Sequence, residues 1–491
     1  MIVTSSQMKS AEEAAFRRGA NPAGLMEAAG SGIAEVIRQF FPTCGIAVLY
    51  CGKGHNGGDA LCAARQLLSE GWRVLIRLSS RIDELAPLTR AHLTSLPDAE
   101  IVEALPELSR KQIILIDGLL GIGSTGSPRG IIADRIREMN WIRRNMGGFS
   151  MAIDLPSGLD ATTGEVFDPC VQADLTITIG AVKAGLVSDQ AIAAVGRLAV
   201  VTLPDLSTDE GDTAVVATAD QLRPLLPIRN FDSFKGDFGR IGIISGARRT
   251  LGAAQLASSA AVHAGGGLVT LYSLPDNYNL LADLCIPEVM VYPVNAYAEV
   301  LEHRLDVLAL GPGLGRDNDP DILRIIRESP LPCVLDADAL NALATDLTLL
   351  SESAGPRLLT PHPGEMARLF PQAARTRRNW ATEFVEHFPV TLLLKGSRTI
   401  VAQRGEPPCF NTTGNPGMGT GGMGDVLTGV CAALIGSGQS PRNAAELGAW
   451  ICGRAAELAV FQADKSQESL SATSVIEFLG EAFRSLRRND F

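Results

Sequence analysis

A glycine-rich run near the end of the chain places a carboxylate beside a predicted anion site. Five of the eight residues 417–424 are glycine, and Asp425 and the apolar run 426–435 follow. Each glycine costs about 0.5–1 kcal/mol relative to alanine inside a helix or strand, so we predict a turn leading into a buried helix. The N–H groups at a helix start bind phosphate, and the helix dipole favours an ionised carboxylate there. The alternative is a glycine-rich surface loop in which Asp425 only caps the helix.

No Gly-Lys-Ser/Thr follows these glycines, which excludes a Walker A loop. A carboxylate stands where such a loop has its lysine. The sequence therefore indicates a phosphate cradle with a base next to the phosphoryl group.

A second glycine pattern, at residues 52–57, matches G-x-G-x-x-G between a predicted strand and a predicted helix. An ordinary Rossmann dehydrogenase is one interpretation. Against it, Asp59 falls in the first helical turn, where a pyrophosphate needs positive potential. The next strand ends at Arg77, Ser79 and Ser80 rather than at an acid that binds a ribose.

Oxygen-bearing side chains follow several predicted strands of the same half. Asn56, Asp117 and Ser157 are expected on neighbouring turns, and such a set suits a hard monovalent or divalent cation. Asp154 would lie beside that cation as a carboxylate available for proton transfer. The alternative for each acid alone is a helix cap.

Composition limits the classes of partner. A chain of 491 residues predicts two or three domains, and a net charge of −11 without a basic run argues against nucleic acid and anionic membranes as partners. The nine cysteines include no C-x-x-C pair, and Cys51, Cys333 and Cys431 fall in apolar runs, which favours buried free thiols. The start of the chain has no apolar signal region, and no run reaches the length of a membrane span. We expect a cytoplasmic protein.

Alternating apolar strands and helices predict a parallel α/β sheet covered on both faces in the first half. The predicted strands are residues 46–51, 72–78, 113–117, 151–154, 175–179 and 198–203. The polar, acidic segment 204–213 predicts a domain boundary near residue 210, which gives domains 1–210 and 211–491.

The second half repeats the alternation. The predicted strands are residues 241–245, 268–272, 307–310, 333–335, 358–359 and 391–394, and most of them end in polar or glycine-rich turns. Ligands of open α/β sheets bind at the carboxyl ends of the strands. We therefore predict two α/β domains, each with its own site.

Seven motifs together resemble two known families joined in one chain. In the first half, GKGHNGGD (52–59), IDGLLGIG (116–123) and AIDLPSGLD (152–160) look like the NAD(P)HX epimerase (YjeF N-terminal) family. In the second half, GPGLG (311–315), LDADAL (335–340), TPHPGE (360–365) and NPGMGTGGMGD (415–425) resemble the ADP-dependent NAD(P)HX dehydratase family. The resemblance implies a Rossmann-like α/β/α sandwich followed by a ribokinase-like α/β domain.

The resemblance implies repair of NADH and NADPH whose nicotinamide ring is hydrated. The epimerase interconverts the R and S hydrates, NADHX and NADPHX, and the dehydratase removes water from the S form with ADP, giving AMP and phosphate. The implied cofactors are ADP as co-substrate, Mg²⁺ and K⁺. We also expect a homo-oligomer.

In the first domain the resemblance implies that Asp154 is catalytic and contacts the hydrate. Potassium would be held by Asn56, Asp117 and Ser157. The hydrate would be lined by His55, Asn56, Gly57, Gly58, Asp59, Gly121, Ile122, Gly123, Ser124, Thr125, Gly126 and Ser127. The departures from the family pattern are His55 for a second Asn, Ala60 for Gly and Gly118 for Ala.

In the second domain the resemblance implies that Asp425 is the base that takes a proton from the C6 hydroxyl. The hydrate would also contact Ala253, Gly315 and His362. The nucleotide would be bound by Lys395, Gly396, Ser397, Arg398, Thr399, Gly421, Gly422, Met423 and Gly424. The alternative is a ribokinase-class small-molecule kinase fused to a non-catalytic nucleotide-binding domain, since that class shares the glycine-rich anion site with its terminal Asp.

Overall fold

The chain folds into two compact units in a computed structural model. The structure describes residues 1–96, 98–108, 112–203, 205–206, 211–371, 376–463 and 465–491. The first unit consists of residues 1–216 with Phe491, and the second of residues 217–490. Residue 210, near which we predicted the boundary, lies outside the described residues.

The first unit is an α/β sandwich. Its strands are β1 (Ile2–Val3), β2 (Ile46–Cys51), β3 (Arg73–Leu78), β4 (Glu100–Ile101), β5 (Ile113–Gly118), β6 (Phe149–Ile153), β7 (Leu175–Ile179), β8 (Val182–Lys183) and β9 (Arg197–Val201). Its helices are α1 (Ser5–Arg17), α2 (Pro22–Phe40), α3 (His55–Ser69), α4 (Pro87–Thr94), α5 (Gly130–Met146) and α6 (Ile192–Val195). Among the described residues, seven strands form a parallel sheet in the order β4-β3-β2-β5-β6-β7-β9, and β1 pairs with β8.

Both faces of this sheet are buried, as its continuous apolar strands require. Val48 and Tyr50 of β2 belong to a core cluster with Ile136 and Met139 of α5. Leu49, between these two residues, points to the opposite face of the sheet and is also buried. Such a sheet needs helices on both faces, so the predicted Rossmann-like class is confirmed for this unit.

The second unit contains a larger sheet. Its strands are β10 (Val215–Ala217), in which the division between the units falls, β11 (Arg240–Ile244), β12 (Leu268–Ser273), β13 (Val289–Pro293), β14 (Val307–Leu310), β15 (Cys333–Leu335), β16 (Arg357–Leu359), β17 (Thr391–Leu394), β18 (Ile400–Gln403) and β19 (Cys409–Asn411). Its helices are α7 (Ala219–Leu222), α8 (Leu251–His263), α9 (Pro275–Leu284), α10 (Asp319–Glu328), α11 (Ala337–Leu343), α12 (Leu349–Glu352), α13 (Pro363–Leu369), α14 (Arg377–His387), α15 (Met423–Gly436), α16 (Pro441–Gln462) and α17 (Ala472–Arg488).

The order of strands brings the predicted turns of the second unit together. In the part of the sheet that the structure describes, the order is β10-β19-β18-β17-β16-β15-β14-β11-β12-β13. The strands from β17 to β13 run parallel to their neighbours, and β17, β18 and β19 pair antiparallel. The carboxyl ends of β17, β16, β15, β14 and β11 therefore lie side by side at one edge.

Helix α15 begins at Met423, three residues before the start that we predicted at residue 426. The first N–H groups of a helix need no intrahelical acceptor, so glycine and Asp425 are tolerated in that turn. Gly422, which precedes the helix, has a φ of 91°, a left-handed conformation that glycine adopts without strain.

The nine cysteines are free thiols, and most of them are core residues. Cys44 is exposed and Cys285 is half-buried, whereas Cys51, Cys333 and Cys431 are buried, as predicted. Within the described residues, no helix combines the length and apolar content that a membrane crossing requires.

Candidate active sites

The three predicted cation ligands of the first unit meet at the carboxyl ends of β5 and β6. Ser157 donates its backbone N–H to one oxygen of Asp117 and its hydroxyl to the other, both at 2.7 Å. The backbone N–H of Leu120 donates to Ser157 Oγ at 3.0 Å, and Asn56 Nδ2 donates to the Leu120 carbonyl at 2.7 Å. The three side chains are therefore linked through Leu120.

This donor set could hold a hard cation. Oδ1 of Asn56 is buried without a hydrogen-bond partner among the described residues, a state that costs about 1–3 kcal/mol. Burial raises the pKa of Asp117 to about 6, although hydrogen bonds from Ser157 and Leu119 oppose the shift. A hard cation held by these oxygens would satisfy Asn56 and favour the ionised form of Asp117.

Asp154 follows β6 in a left-handed conformation, with a φ of 67° that residues other than glycine seldom adopt. Its Oδ1 contacts the Lys183 ammonium and accepts the backbone N–H of Ile179 at 3.2 Å. Oδ2 has no protein partner among the described residues. The carboxylate is thus fixed by one oxygen and available through the other.

Two further carboxyl groups surround Asp154. Burial raises the pKa of Asp59 on α3 well above its ordinary range, and the charges of Asp154 and Glu12 add to the shift. Burial also raises the pKa of Glu12 on α1, with Asp154 contributing. Sequence reasoning missed Glu12 and Lys183. The one available signal was a lysine directly after apolar residues of β7 and β8.

The predicted glycine loop lies next to the cation set. A methyl group placed on Gly121 would be 3.5 Å from Cβ of Asn56. Ser124 bonds back to the Gly121 carbonyl at 2.9 Å, which closes the turn. His55, the first residue of α3, is exposed, whereas Gly57 and Gly58 are buried.

Ala60 and Gly118, two of the departures from the family pattern, lie next to each other in the structure. A methyl group placed on Gly118 would lie 2.8 Å from Cβ of Ala60, closer than real Cβ contacts allow. The family resemblance pairs a glycine at 60 with an alanine at 118. This chain has glycine on strand β5 and alanine on helix α3, the reverse of the family pattern, so the two changes compensate.

In the second unit, the start of α15 meets the ends of β15 and β17. Lys395 donates to Asp336 Oδ1 at 2.6 Å and lies 3.8 Å from Glu365, while Thr428 donates to Asp336 Oδ2 at 3.0 Å. A methyl group on Gly424 would be 3.2 Å from both Asp336 Oδ2 and Lys395 Nζ. Sequence reasoning gave no role to Asp336, Glu365 or Thr428.

The charges at this site suit phosphoryl transfer. Burial raises the pKa of Asp425 to about 6, Asp336 adds to the shift and Lys395 opposes it. Burial lowers the pKa of Lys395, but the charges of Asp336, Glu365 and Asp425 outweigh it, so the net pKa is raised. The site therefore combines a permanent cation with a carboxylate that accepts a proton near neutral pH.

His362 is fixed by local capping. It precedes α13, and its Nδ1 accepts the N–H groups of Gly364 at 2.9 Å and Glu365 at 3.3 Å. Glu365 in return accepts the His362 N–H at 2.8 Å. The side chain is half exposed, at 52%, and its Nε2 lies 3.6 Å from Glu365 Oε1.

The remaining predicted residues border the same edge. Gly315 donates its N–H to Asp338 at 2.8 Å, two residues beyond Asp336. A methyl group on Gly313 would be 3.0 Å from Cβ of Ala253. The structure thus connects Ala253 and Gly315 to the turn after β14, beside the Lys395 cluster.

The predicted nucleotide-binding loop after β17 has two residues with positive φ, and hydrogen bonds from a residue outside the loop fix it. Gly396 and Arg398 have φ values of 145° and 60°. The guanidinium of Arg377 donates to the carbonyls of Ser397 at 2.7 Å and Arg398 at 3.1 Å. The loop therefore has a defined shape next to Lys395.

Two family sequence profiles match the chain, one in each half. The profile described as YjeF-related protein N-terminus matches residues 22–185. The profile described as NAD(P)H-hydrate dehydratase matches residues 241–479.

Whole-chain relatives carry both parts. A Moorella thermoacetica protein named bifunctional NAD(P)H-hydrate repair enzyme is 37% identical, covering 94% of this chain and 92% of its own length. The Escherichia coli protein of that name is 34% identical, covering 88% and 84%. A crystal structure of ADP/ATP-dependent NAD(P)H-hydrate dehydratase from Bacillus subtilis, co-crystallised with ATP and Mg²⁺, matches with a TM-score of 0.50 and 25% identity over 56% of this chain and 99% of that one. The chain belongs to the family of bifunctional NAD(P)H-hydrate repair enzymes.

Proposed function

We propose that each unit contributes one step of NAD(P)H-hydrate repair, and that Asp154 and Asp425 are the respective catalytic groups. The observation that carries this proposal is a carboxylate beside a lysine at each sheet edge: Lys183 contacts Asp154, and the charge of Lys395 acts on Asp425. At the first edge Asp154 adjoins an oxygen-donor set. At the second, Asp425 adjoins a helix N-terminus.

In the first unit, Asp154 exchanges a proton with the hydrate through Oδ2, and this supports interconversion of the R and S forms. The loop residues 55–59 and 121–127 bind the hydrate. Asn56, Asp117 and Ser157 would hold K⁺, which supplies a fixed positive charge beside the substrate.

In the second unit, the C6 hydroxyl of the S hydrate attacks the β-phosphate of ADP while Asp425 takes the hydroxyl proton. This converts hydroxide, a poor leaving group, into phosphate and releases AMP. The ring nitrogen lone pair then expels phosphate, and loss of a proton restores the dihydronicotinamide. The N–H groups of residues 421–424 and the Lys395 ammonium stabilise the charge on the transferring group.

The site in the second unit also accounts for binding of the nucleotide and its metal ion. The Bacillus subtilis relative is described as ADP/ATP-dependent and was crystallised with ATP and Mg²⁺. We propose that residues 395–399 and 421–424 bind ADP, and that Mg²⁺ supplies further neutralisation of the phosphates. We further propose a homo-oligomer that acts in the cytoplasm.

The test is recovery of dihydronicotinamide absorbance from a mixed-epimer NADPHX sample with K⁺ and Mg²⁺, with and without ADP. We expect full recovery only with ADP. Recovery that stops when the S form is consumed would contradict the epimerase assignment. No recovery would favour the alternative, a kinase acting on another alcohol.

Two variants separate the sites. Asp425→Asn should abolish dehydration and leave epimerisation intact, and Asp154→Asn should do the reverse, because each removes only its own proton acceptor. Each variant is assayed on separated R and S hydrates. Loss of both activities in a folded single variant would contradict the two-site assignment.

A further inference from the structure

Lys183 is a buried cation whose contacts all lie around Asp154. Its side chain is 1% exposed, and its ammonium donates to the Ile179 carbonyl at 2.7 Å and to Thr178 Oγ1 at 3.2 Å. The third contact is Asp154 Oδ1. An ammonium has three donors, so these partners use all of them. Since burying a charge is costly, a fully partnered lysine at this place needs a reason.

The same contacts determine which oxygen of Asp154 is free. Oδ1 receives the ammonium and the Ile179 N–H, and Thr178 Oγ1 lies 3.4 Å from it. All of these bonds reach Asp154 from the end of β7 and from β8. Oδ2 therefore points away from them, with no protein partner among the described residues.

Two acidic groups and a second cation lie near Asp154. Asp59 on α3 and Glu12 on α1 both interact with it. Lys9 on α1 acts on Glu12. Lys183 is the cation in direct contact with Asp154.

We propose that Lys183 is a positioning residue for the epimerase reaction, which holds Oδ1 of Asp154 so that Oδ2 exchanges the proton with the hydrate. This inference rests on the proposed function of the first unit. Lys183 itself does not touch the substrate in this role.

The test compares Lys183→Met with the wild type in epimerisation of purified R hydrate. Met keeps the length and apolar stem of lysine and removes the charge. We expect kcat at pH 7 to fall roughly tenfold to hundredfold. KM should change much less than kcat, because Lys183 does not touch the substrate.

The controls separate this role from general destabilisation. Arg143→Met breaks a different ion pair, with Asp174 at the opposite edge of the same sheet, and should leave kcat and KM unchanged. The unfolding transition of the first unit in denaturant shows whether Lys183→Met is folded. A folded Lys183→Met enzyme with an unchanged kcat would overturn the proposal.

A second, milder variant tests the proposal if Lys183→Met does not fold. Thr178→Val removes a hydroxyl that contacts both Lys183 and Asp154, and it should lower kcat by a smaller factor with KM little changed. An unchanged kcat in that variant would also overturn the proposal. A wild-type enzyme without epimerase activity would instead reject the proposed function itself, before any variant is compared.

Discussion

At the scale of single residues, the raised pKa of Asp425 predicts the pH dependence of dehydration. A base must be ionised to take a proton, so the rate should fall as pH drops through about 6, the pKa of Asp425. With the ordinary value of 3.8, activity would persist to far lower pH. The measurement is the initial rate of AMP formation at saturating ADP and S hydrate. A flat profile down to pH 5 would contradict this expectation.

The raised pKa of Asp425 also makes the stability of the fold depend on pH. The native state binds a proton at Asp425 more tightly than the unfolded chain, so this group's contribution to stability is greatest below pH 3.8 and is lost as pH rises towards about 6. The buried Asp425 carboxylate therefore destabilises the fold at the pH at which Asp425 must act as a base.

The orphaned oxygen of Asn56 predicts a response to potassium. Replacing choline by K⁺ at equal ionic strength should raise the thermal midpoint, because an ion at ten times its Kd stabilises the native state by about 1.4 kcal/mol. Asn56→Ala should lose this increment, since it removes the unpartnered ligand. The exposed neighbour variant His55→Asn should keep it. Equal responses of Asn56→Ala and the wild type would contradict the ion assignment.

Lys183 shows why part of a site stays hidden in a sequence. Lysines are mostly exposed, so one after a short apolar run indicates only the end of a strand. Its partner Asp154 lies 29 residues away in the chain, and only the pairing of β6 with β7 brings them together. Asp154, by contrast, was predictable because it directly follows an apolar run.

At the scale of elements, Ala60 and Gly118 predict a coupled pair on α3 and β5. Gly118→Ala alone should destabilise the protein by about 1–3 kcal/mol, because the new methyl group overlaps Ala60. The double variant Gly118→Ala with Ala60→Gly should recover most of this loss. The measurement is the free energy of unfolding in denaturant for the first unit's transition.

Gly54→Ala is the matched control for that pair, since a methyl group at Gly54 meets nothing within 4 Å. It adds the same atom directly before α3, where the methyl group has no neighbour. If the double variant were as unstable as Gly118→Ala, the contact would not explain the two departures.

The central strands were predictable and most of the strands outside them were not. The predicted limits of β2, β7, β14, β15 and β17 are those of the structure, because strands buried on both faces are continuous apolar runs bounded by turns. The predictions missed the strands β1, β4, β8, β10 and β13 and the antiparallel pair β18 and β19. Most of the missed strands have four residues or fewer, too few to give a period, and their pairing depends on distant parts of the chain.

At the scale of the whole molecule, two sites in two units predict complementation between chains. An equimolar mixture of Asp154→Asn and Asp425→Asn should convert a mixed-epimer sample fully to NADPH with ADP. Epimerised hydrate would leave one chain and reach the other by diffusion. The measurement is absorbance recovery, with each variant alone as the control. A mixture no better than Asp154→Asn alone would show that the steps must occur within one chain.

The distribution of thiols gives the molecule a natural labelling site. Burial raises the pKa of Cys51, Cys62 and Cys170 to about 12, so they stay protonated at neutral pH, and the thiolate is the reactive form. Cys44 is exposed and precedes β2, at the sheet edge opposite the candidate site. A maleimide fluorophore would therefore attach first at Cys44, which allows single-molecule experiments on the unmutated enzyme with its catalytic groups untouched.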